Sequence, residues 1–490
     1  MAPRAEDRSA PRYSRGNDVK PTGASTKISL VFHVTSVCGA ALLALAAGAN
    51  FSPSRAEPSV YPTGTTIYDP SKAYNSFVLF AGGDDVSRLI NLNGKVVHEW
   101  KYSGQPVAFV DPALVGGQRG HIFVTLETEE GKGTDLIPGR ALTRIRKTVG
   151  EVDWDGNVQW RFGESAPGGR AQQHHDLARL PNGNTLVLSN IVYPLPGFAQ
   201  PQILDDVAYE VDPAGEIVWT WAASDHLDEI GFTSEELKLL KATNNADYLH
   251  VNNLKPVGPN HWFDEGDQRF APDNLIFDSR SANFIAVIDR KTRKIVWTLG
   301  PHFPPISEPL PAAAVKLPRP VDQISGQHDA HIIPAGLPGA GNLLVFDNQG
   351  EAGYPHASVT YTGGSRVLEI NPVTKEIVWQ YTGASSGNPG WTFRSTHISN
   401  ARRLPNGNTF IDEGQIGRFF QVTPSGEVVW EYLNPYPRRA VANGGKPTIN
   451  YSVYRAQPVP YDWAPVGASQ LEIAVVPPDN ANFHIPETAK

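Results

Sequence analysis

Four stretches of this 490-residue chain set histidine in the same place, a few residues ahead of a Pro-containing turn. His174 and His175 lead into Leu177-Ala178-Arg179-Leu180-Pro181-Asn182-Gly183, and His250 leads into Val251-Asn252-Asn253-Leu254-Lys255-Pro256 and a turn at Pro259. His328 stands ten residues before Pro338, and His397 eight before Pro405. Fourteen histidines make one such coincidence ordinary, but not four at similar offsets. A neutral imidazole ligates metal, or attacks as a nucleophile; with a pKa near 6.5 it is mostly uncharged at pH 7. Arg366, which follows Gly363-Gly364-Ser365, adds a candidate cation, and Arg280 is a weaker one of the same type. Two chemistries therefore stand side by side. Several imidazoles could hold a metal, as the His328-Asp329-Ala330-His331 pair hints, although on a strand its ends face opposite ways and no carboxylate accompanies every histidine. Alternatively one imidazole attacks while the others and an arginine grip an anion.

Histidines so far apart in sequence meet only if the chain closes on itself. The stretch Ser395–Tyr432 shows how. Turn signals at Pro405-Asn406-Gly407, Glu413-Gly414 and Pro424-Ser425-Gly426 cut it into four strand-length runs, the size of one β-propeller blade. Its last run recurs. A short β-branched segment ending in Trp appears at Trp100, Trp160, Trp219, Trp297, Trp379 and Trp430, at spacings of 60, 59, 78, 82 and 51 residues. A constant motif at uneven spacing implies fixed blades with loops of variable length. The chain is thus expected to be all-β, a six-bladed propeller. The first strand of each blade lines the central channel and points the histidines of consecutive blades at one mouth. Tyr451–Asp462 resembles an inner strand and is expected to complete the first blade, which removes an exposed edge. Between the third and fourth blades, Thr233-Ser234-Glu235-Glu236 reads as a capping box ahead of a short helical insertion.

The bulk composition narrows the partners. Formal charge is −8. Residues 1–56 hold seven Lys/Arg and three Asp/Glu, which leaves 35 against 47, a net of −12, in the remainder. An acidic body without a basic patch argues against nucleic acid. Residues 1–56 read as an export signal with a long polar start, the apolar run Ile28–Ala49 and a small-x-small site at Ser54-Arg55-Ala56; an uncleaved membrane tether is the alternative. A periplasmic or secreted propeller over residues 57–490 follows from either. The sole cysteine, Cys38, lies in the leader, so the body has no disulfide, thiol nucleophile or thiolate-bound metal.

Several segments together resemble the bacterial arylsulfate sulfotransferase family. They are Tyr61–Pro70, Asp247-Tyr248-Leu249-His250-Val251-Asn252, Gly326-Gln327-His328-Asp329-Ala330 and Ser395–Asn408, and the likeness runs from about Tyr61 to Pro435. The resemblance implies a six-bladed propeller that moves a sulfuryl group from an aryl sulfate ester to a phenolic acceptor through a transient sulfo-histidine. It implies no cofactor and no adenylyl-sulfate donor. Carried onto this chain, it makes His397 the nucleophile. His250 and His328 become the leaving-group and sulfuryl-oxygen partners, and Arg366 the cationic clamp. A non-catalytic binding propeller, and a metal- or quinone-dependent oxidoreductase on a related propeller, are the alternative functions.

Overall fold

In the computed structural model the described residues are 63–129, 145–306, 315–357, 363–441, 447–465, 467 and 472–476. The expected leader, residues 1–56, lies outside them. Six antiparallel sheets of four or five strands follow one another around an axis, each running from the hub to the rim. The inner strands are Ala456–Val459, Ser103–Phe109, Gln173–Arg179, Val251–Pro256, His328–Ile332 and Asn400–Arg403, for blades 1 to 6. Blade 1 takes its inner strand from the C-terminal part of the chain, pairing Phe77 with Val459 and Phe80 with Ala456. Blade 6 takes a fifth, outermost strand, Gly64–Tyr68, from the N-terminal part, which pairs with Val428–Leu433. The ring is therefore closed from both ends, and two potential edges are covered. The insertion between blades 3 and 4 carries the helix Ser234–Ala242, with the Thr233/Glu236 capping box formed as expected. Among the described residues no helix is long and apolar enough to cross a membrane.

The repeated tryptophans act between blades. Each sends its indole N–H to a main-chain carbonyl near the outer turn of the next blade. Trp100 reaches Asp153, Trp160 Asp212, Trp297 Pro372, Trp379 Pro424 and Trp430 Leu92, at 2.8–3.0 Å. The Trp430 bond crosses the closure from blade 6 to blade 1. Blade 3 departs from the sequence reading, because Trp221, not Trp219, makes the bond, to Arg293 at 3.0 Å. Strand side chains alternate with a period of two, so a tryptophan two positions on keeps the same face and reaches the same neighbour.

At the hub the inner strands bury charge. Arg455, fully buried, lies 3.1 Å from Asp176 of blade 3 and 3.6 Å from Asp329 of blade 5, and it donates to the Asn252 carbonyl of blade 4 at 2.7 Å. Lys255 pairs with Asp176 at 2.6 Å, and Arg402 forks onto Asp329. Burial alone would push Asp329 up, but Arg402 and Arg455 outweigh it and hold the carboxyl well below the usual range. Burial drives Asp278 and Asp412 the other way, well above it. Three cations, Lys255, Arg402 and Arg455, thus meet the carboxylates of Asp176 and Asp329 at the hub.

Removing one partner of a buried pair leaves the others uncompensated, which costs about 3–5 kcal/mol. Arg455→Ala is expected to lower the unfolding free energy in urea by about that amount, while Arg439→Ala, on an outer hairpin, changes it by less than about 0.5 kcal/mol. A loss below about 1 kcal/mol for Arg455→Ala would show that the hub pairs do not hold the ring. Burial and Arg402 hold His331 down to about 4. The unfolded chain, at about 6.5, therefore takes up the proton first. Native stability is lost as pH falls from about 6.5 to 4, by about 3 kcal/mol in all. His331→Gln lacks this loss, so the stability gap between variant and native chain should close by that amount between pH 7 and pH 4.

Candidate active site

The histidines sit where the chain enters the inner strands, at one end of the channel. The backbone there is unusual. His175, His250, Asp329, Ile398 and Ser399 have φ of 58°, 51°, 60°, 58° and 89°. For non-glycine residues this region is uncommon, and for β-branched Ile398 it is an outlier that surrounding structure must enforce.

The enforcement at Ile398 can be traced bond by bond. Its N–H donates to Nε2 of His328 at 3.1 Å, and its carbonyl accepts from Nδ2 of Asn348 at 2.8 Å. The other proton of that amide goes to the Ser395 carbonyl at 2.6 Å, and Nδ1 of His328 donates to Asn348 Oδ1 at 2.8 Å. His328 is therefore the Nδ1–H tautomer with both ring nitrogens occupied. Burial first, then the charge of Arg280, keeps it neutral far below the ordinary imidazole value. Ser395 and Ser399 tie the same loop to Gln415 and Gly414. The residue so presented is His397, which is exposed while Ile398 and Ser399 behind it are held.

Two charged groups, Arg280 and His250, act on it. Crowding of the His397 ring, then the charges of Arg280 and His250, lower its pKa below 6.5. Nδ1 of His250 lies 2.5 Å from Asp247 Oδ2. Arg280 follows the second strand of blade 4, its backbone N–H bonded to the His250 carbonyl at 3.1 Å. Its buried Nε has no hydrogen-bond partner, and Glu351 supplies only a distant countercharge. The ring of His175 packs edge-on to His250 at 4.7 Å and lies 5.3 Å from the ring of Tyr454.

Arg366 has a different setting. Its Nε and Nη2 face Asp347, its Nη1 faces Asp322 at 2.7 Å, and Nη2 also reaches the Gln323 carbonyl. With the guanidinium filled by two buried carboxylates, Arg366 braces the strand that runs on to Asn348. The sequence placed His250, His328 and His397 at a common mouth, and there they lie. It did not reveal Asp247 and Asn348 as their partners, although Asp247 opens one of the resembling segments. Among the described residues no group of three His, Cys, Asp or Glu could hold a metal.

A protein-family model described as Arylsulfotransferase (ASST) matches residues 92–435, well over half of the chain. No curated protein matches. Among solved structures, a protein of unknown function from Bacteroides caccae is 12% identical with a TM-score of 0.43, covering 79% of this chain and 99% of that one. The β-propeller domain of Cps50 (Swd1) from Myceliophteria thermophila is 9% identical with a TM-score of 0.36, covering 80% and 97%. A streptogramin B lyase is 12% identical with a TM-score of 0.35, covering 81% and 93%.

Asn348→Ala removes the side-chain donor to the Ile398 carbonyl, and leaves His328 Nδ1 only the Gly326 carbonyl at 3.1 Å and the Ser395 carbonyl only the Ser365 hydroxyl at 3.3 Å, at about 1–3 kcal/mol for a buried group left unpaired. We expect a lower urea midpoint and faster proteolysis between Ser395 and Ser399. Unchanged protection of that loop would show that the amide does not hold it.

Proposed function

We propose, since the chain belongs to the arylsulfotransferase family, that it moves a sulfuryl group between phenols by way of a sulfated His397. Membership of the family implies aryl sulfate transfer between phenols; the covalent histidine and the residue roles are our reading. The observation that carries it is the loop at residues 395–399. A left-handed, β-branched Ile398 gripped on both its N–H and its carbonyl is an arrangement that stability alone does not call for. Its effect is to fix the backbone that carries one imidazole at the mouth.

In the first half-reaction a ring nitrogen of His397 attacks sulfur, an N–S bond forms, and the S–O bond to the aryl oxygen breaks. Negative charge spreads over the sulfuryl oxygens and the departing oxygen, much as in phosphoryl transfer. Prepositioned cations stabilise such charge best. We assign that task to Arg280, whose buried Nε lacks a partner, and to His250, where the Asp247 carboxylate stabilises positive charge on the ring. His328 and Arg366 then act as positioning residues. In the second half-reaction an acceptor phenol takes the group from His397, which gives ping-pong kinetics. We place this activity outside the cytoplasm, as the leader suggests.

His397→Asn should abolish sulfate exchange between 4-nitrophenyl sulfate and phenol, and the mass increment of a sulfo group on the native chain should vanish with it. Retained exchange would exclude the assignment. Arg280→Met should lower kcat/KM by about 10²–10³-fold, with its unfolding midpoint little changed. Because protonated His397 cannot attack, activity falls on the acid side of its pKa. Burial of the ring, and then the charges of Arg280 and His250, hold that pKa below 6.5. The acid limb of kcat/KM should therefore lie below pH 6.5 in the native chain and move upward in Arg280→Met.

A further inference from the structure

Beside the candidate site, between blades 2 and 3, lies a cavity of about 150 Å³. A cavity of that size admits a benzene-sized ring. Ile145 and Leu204 give it apolar wall, Gln172 and Asn190 polar wall, and His174 and His175 line it on the side of His250. The two imidazoles are coupled, with their Nδ1 atoms 2.6 Å apart. Nε2 of His174 in turn lies 3.2 Å from Asp206 Oδ1. Asp206 is buried, accepting the Val251 N–H at 3.0 Å and the Asn190 amide at 3.0 Å. The carboxylate at one end is near the His174 ring without being hydrogen-bonded to it, and its charge favours one tautomer set of the row. His174 carries its proton on Nε2 and accepts at Nδ1, His175 carries its proton on Nδ1, and Nε2 of His175 is left as a lone pair. No hydrogen-bond partner fills that nitrogen among the described residues.

We propose that this cavity binds the ring of the acceptor phenol, and that His175, backed by His174 and Asp206, takes the phenol's proton. The inference rests on the sulfo-histidine reading and adds the acceptor's site and base to it. In the step, the phenol O–H bond breaks and its proton goes to Nε2 of His175. The oxygen forms a new O–S bond as the N–S bond to His397 breaks, and that electron pair returns to the His397 ring. Positive charge gained by His175 is shared across the short Nδ1 contact with His174 and stabilised by Asp206. By reversibility the same nitrogen returns a proton to a poor leaving group in the first half-reaction, whereas 4-nitrophenolate needs none. Burial and the neighbouring imidazoles keep His175 neutral at rest, which leaves the lone pair ready. The cavity fits a single aromatic ring with small polar substituents, not a fused polycycle.

The test separates the two half-reactions. With 4-nitrophenyl sulfate alone, stopped-flow absorbance reads the burst of 4-nitrophenolate that accompanies sulfation of His397. Transfer is then timed to phenol, protonated until pH about 10, and to pentafluorophenol, already ionised at neutral pH. For His175→Gln we expect an unchanged burst, transfer to phenol slowed by about 10²-fold or more, and transfer to pentafluorophenol nearly unchanged. His174→Asn should move the phenol-to-pentafluorophenol ratio in the same direction by a smaller factor. Equal slowing for both acceptors, or none, overturns the assignment of the base. Should His175→Gln fail to fold, Ile145→Phe narrows the cavity from its wall and must raise the KM for phenol; an unaltered KM overturns the cavity as the acceptor site. A native chain with no burst would instead defeat the sulfo-histidine reading on which the inference stands.

Discussion

A guanidinium with no access to water must meet its partners inside the protein, and at the hub that requirement fixes the ring. Arg455 reaches Asp176, the Asn252 carbonyl and Asp329 from one position, and these belong to three consecutive blades. A rotation of any of the three about the axis would strand a buried charge, at several kcal/mol. The apolar faces between blades are tolerant by comparison, since hydrophobic contact has no direction. The charged pairs at the centre thus set the angular positions that the inner strands, and the loops entering them, can take.

Those loops put the fixed frame to use. Each left-handed residue at the mouth costs of order 1–3 kcal/mol, and it persists because the strand below it cannot move. Asp329 joins the two layers directly. It is itself left-handed, it is neighbour to His328 in sequence, and its carboxylate belongs to the hub. The hub and the mouth are therefore one structure, in which the lower layer supplies rigidity and the upper one presents imidazoles at set distances. Arg366 serves the same end from the side, held by Asp322 and Asp347 next to the Asn348 that grips the His397 loop.

What the sequence disclosed and what it hid divide along physical lines. Blades were legible because turn residues and strand periodicity are local, and because one tryptophan per blade repeats for a shared reason, the indole bond to the next blade. Blade 3 shows the limit of that signal. Trp219 carries the motif, but Trp221 makes the bond, and only register separates them. The mouth histidines were legible from their offset to the turns. Their partners were not, because Asn348 and Asp206 approach across the fold from other strands and loops, with no fixed spacing to the histidines they touch. Arg366 illustrates the converse. Its position after a Gly-Gly-Ser turn looks like a free strand end, and only the fold brings two carboxylates onto it.

Tyr454 and Arg455, which touch the ring of His175 and the hub carboxylates, stand after all six tryptophan repeats in chain order. During synthesis the blades bearing every mouth histidine emerge first and wait without the residue that locks them together. The frame beneath the mouth is therefore complete only once the last inner strand has paired with blade 1.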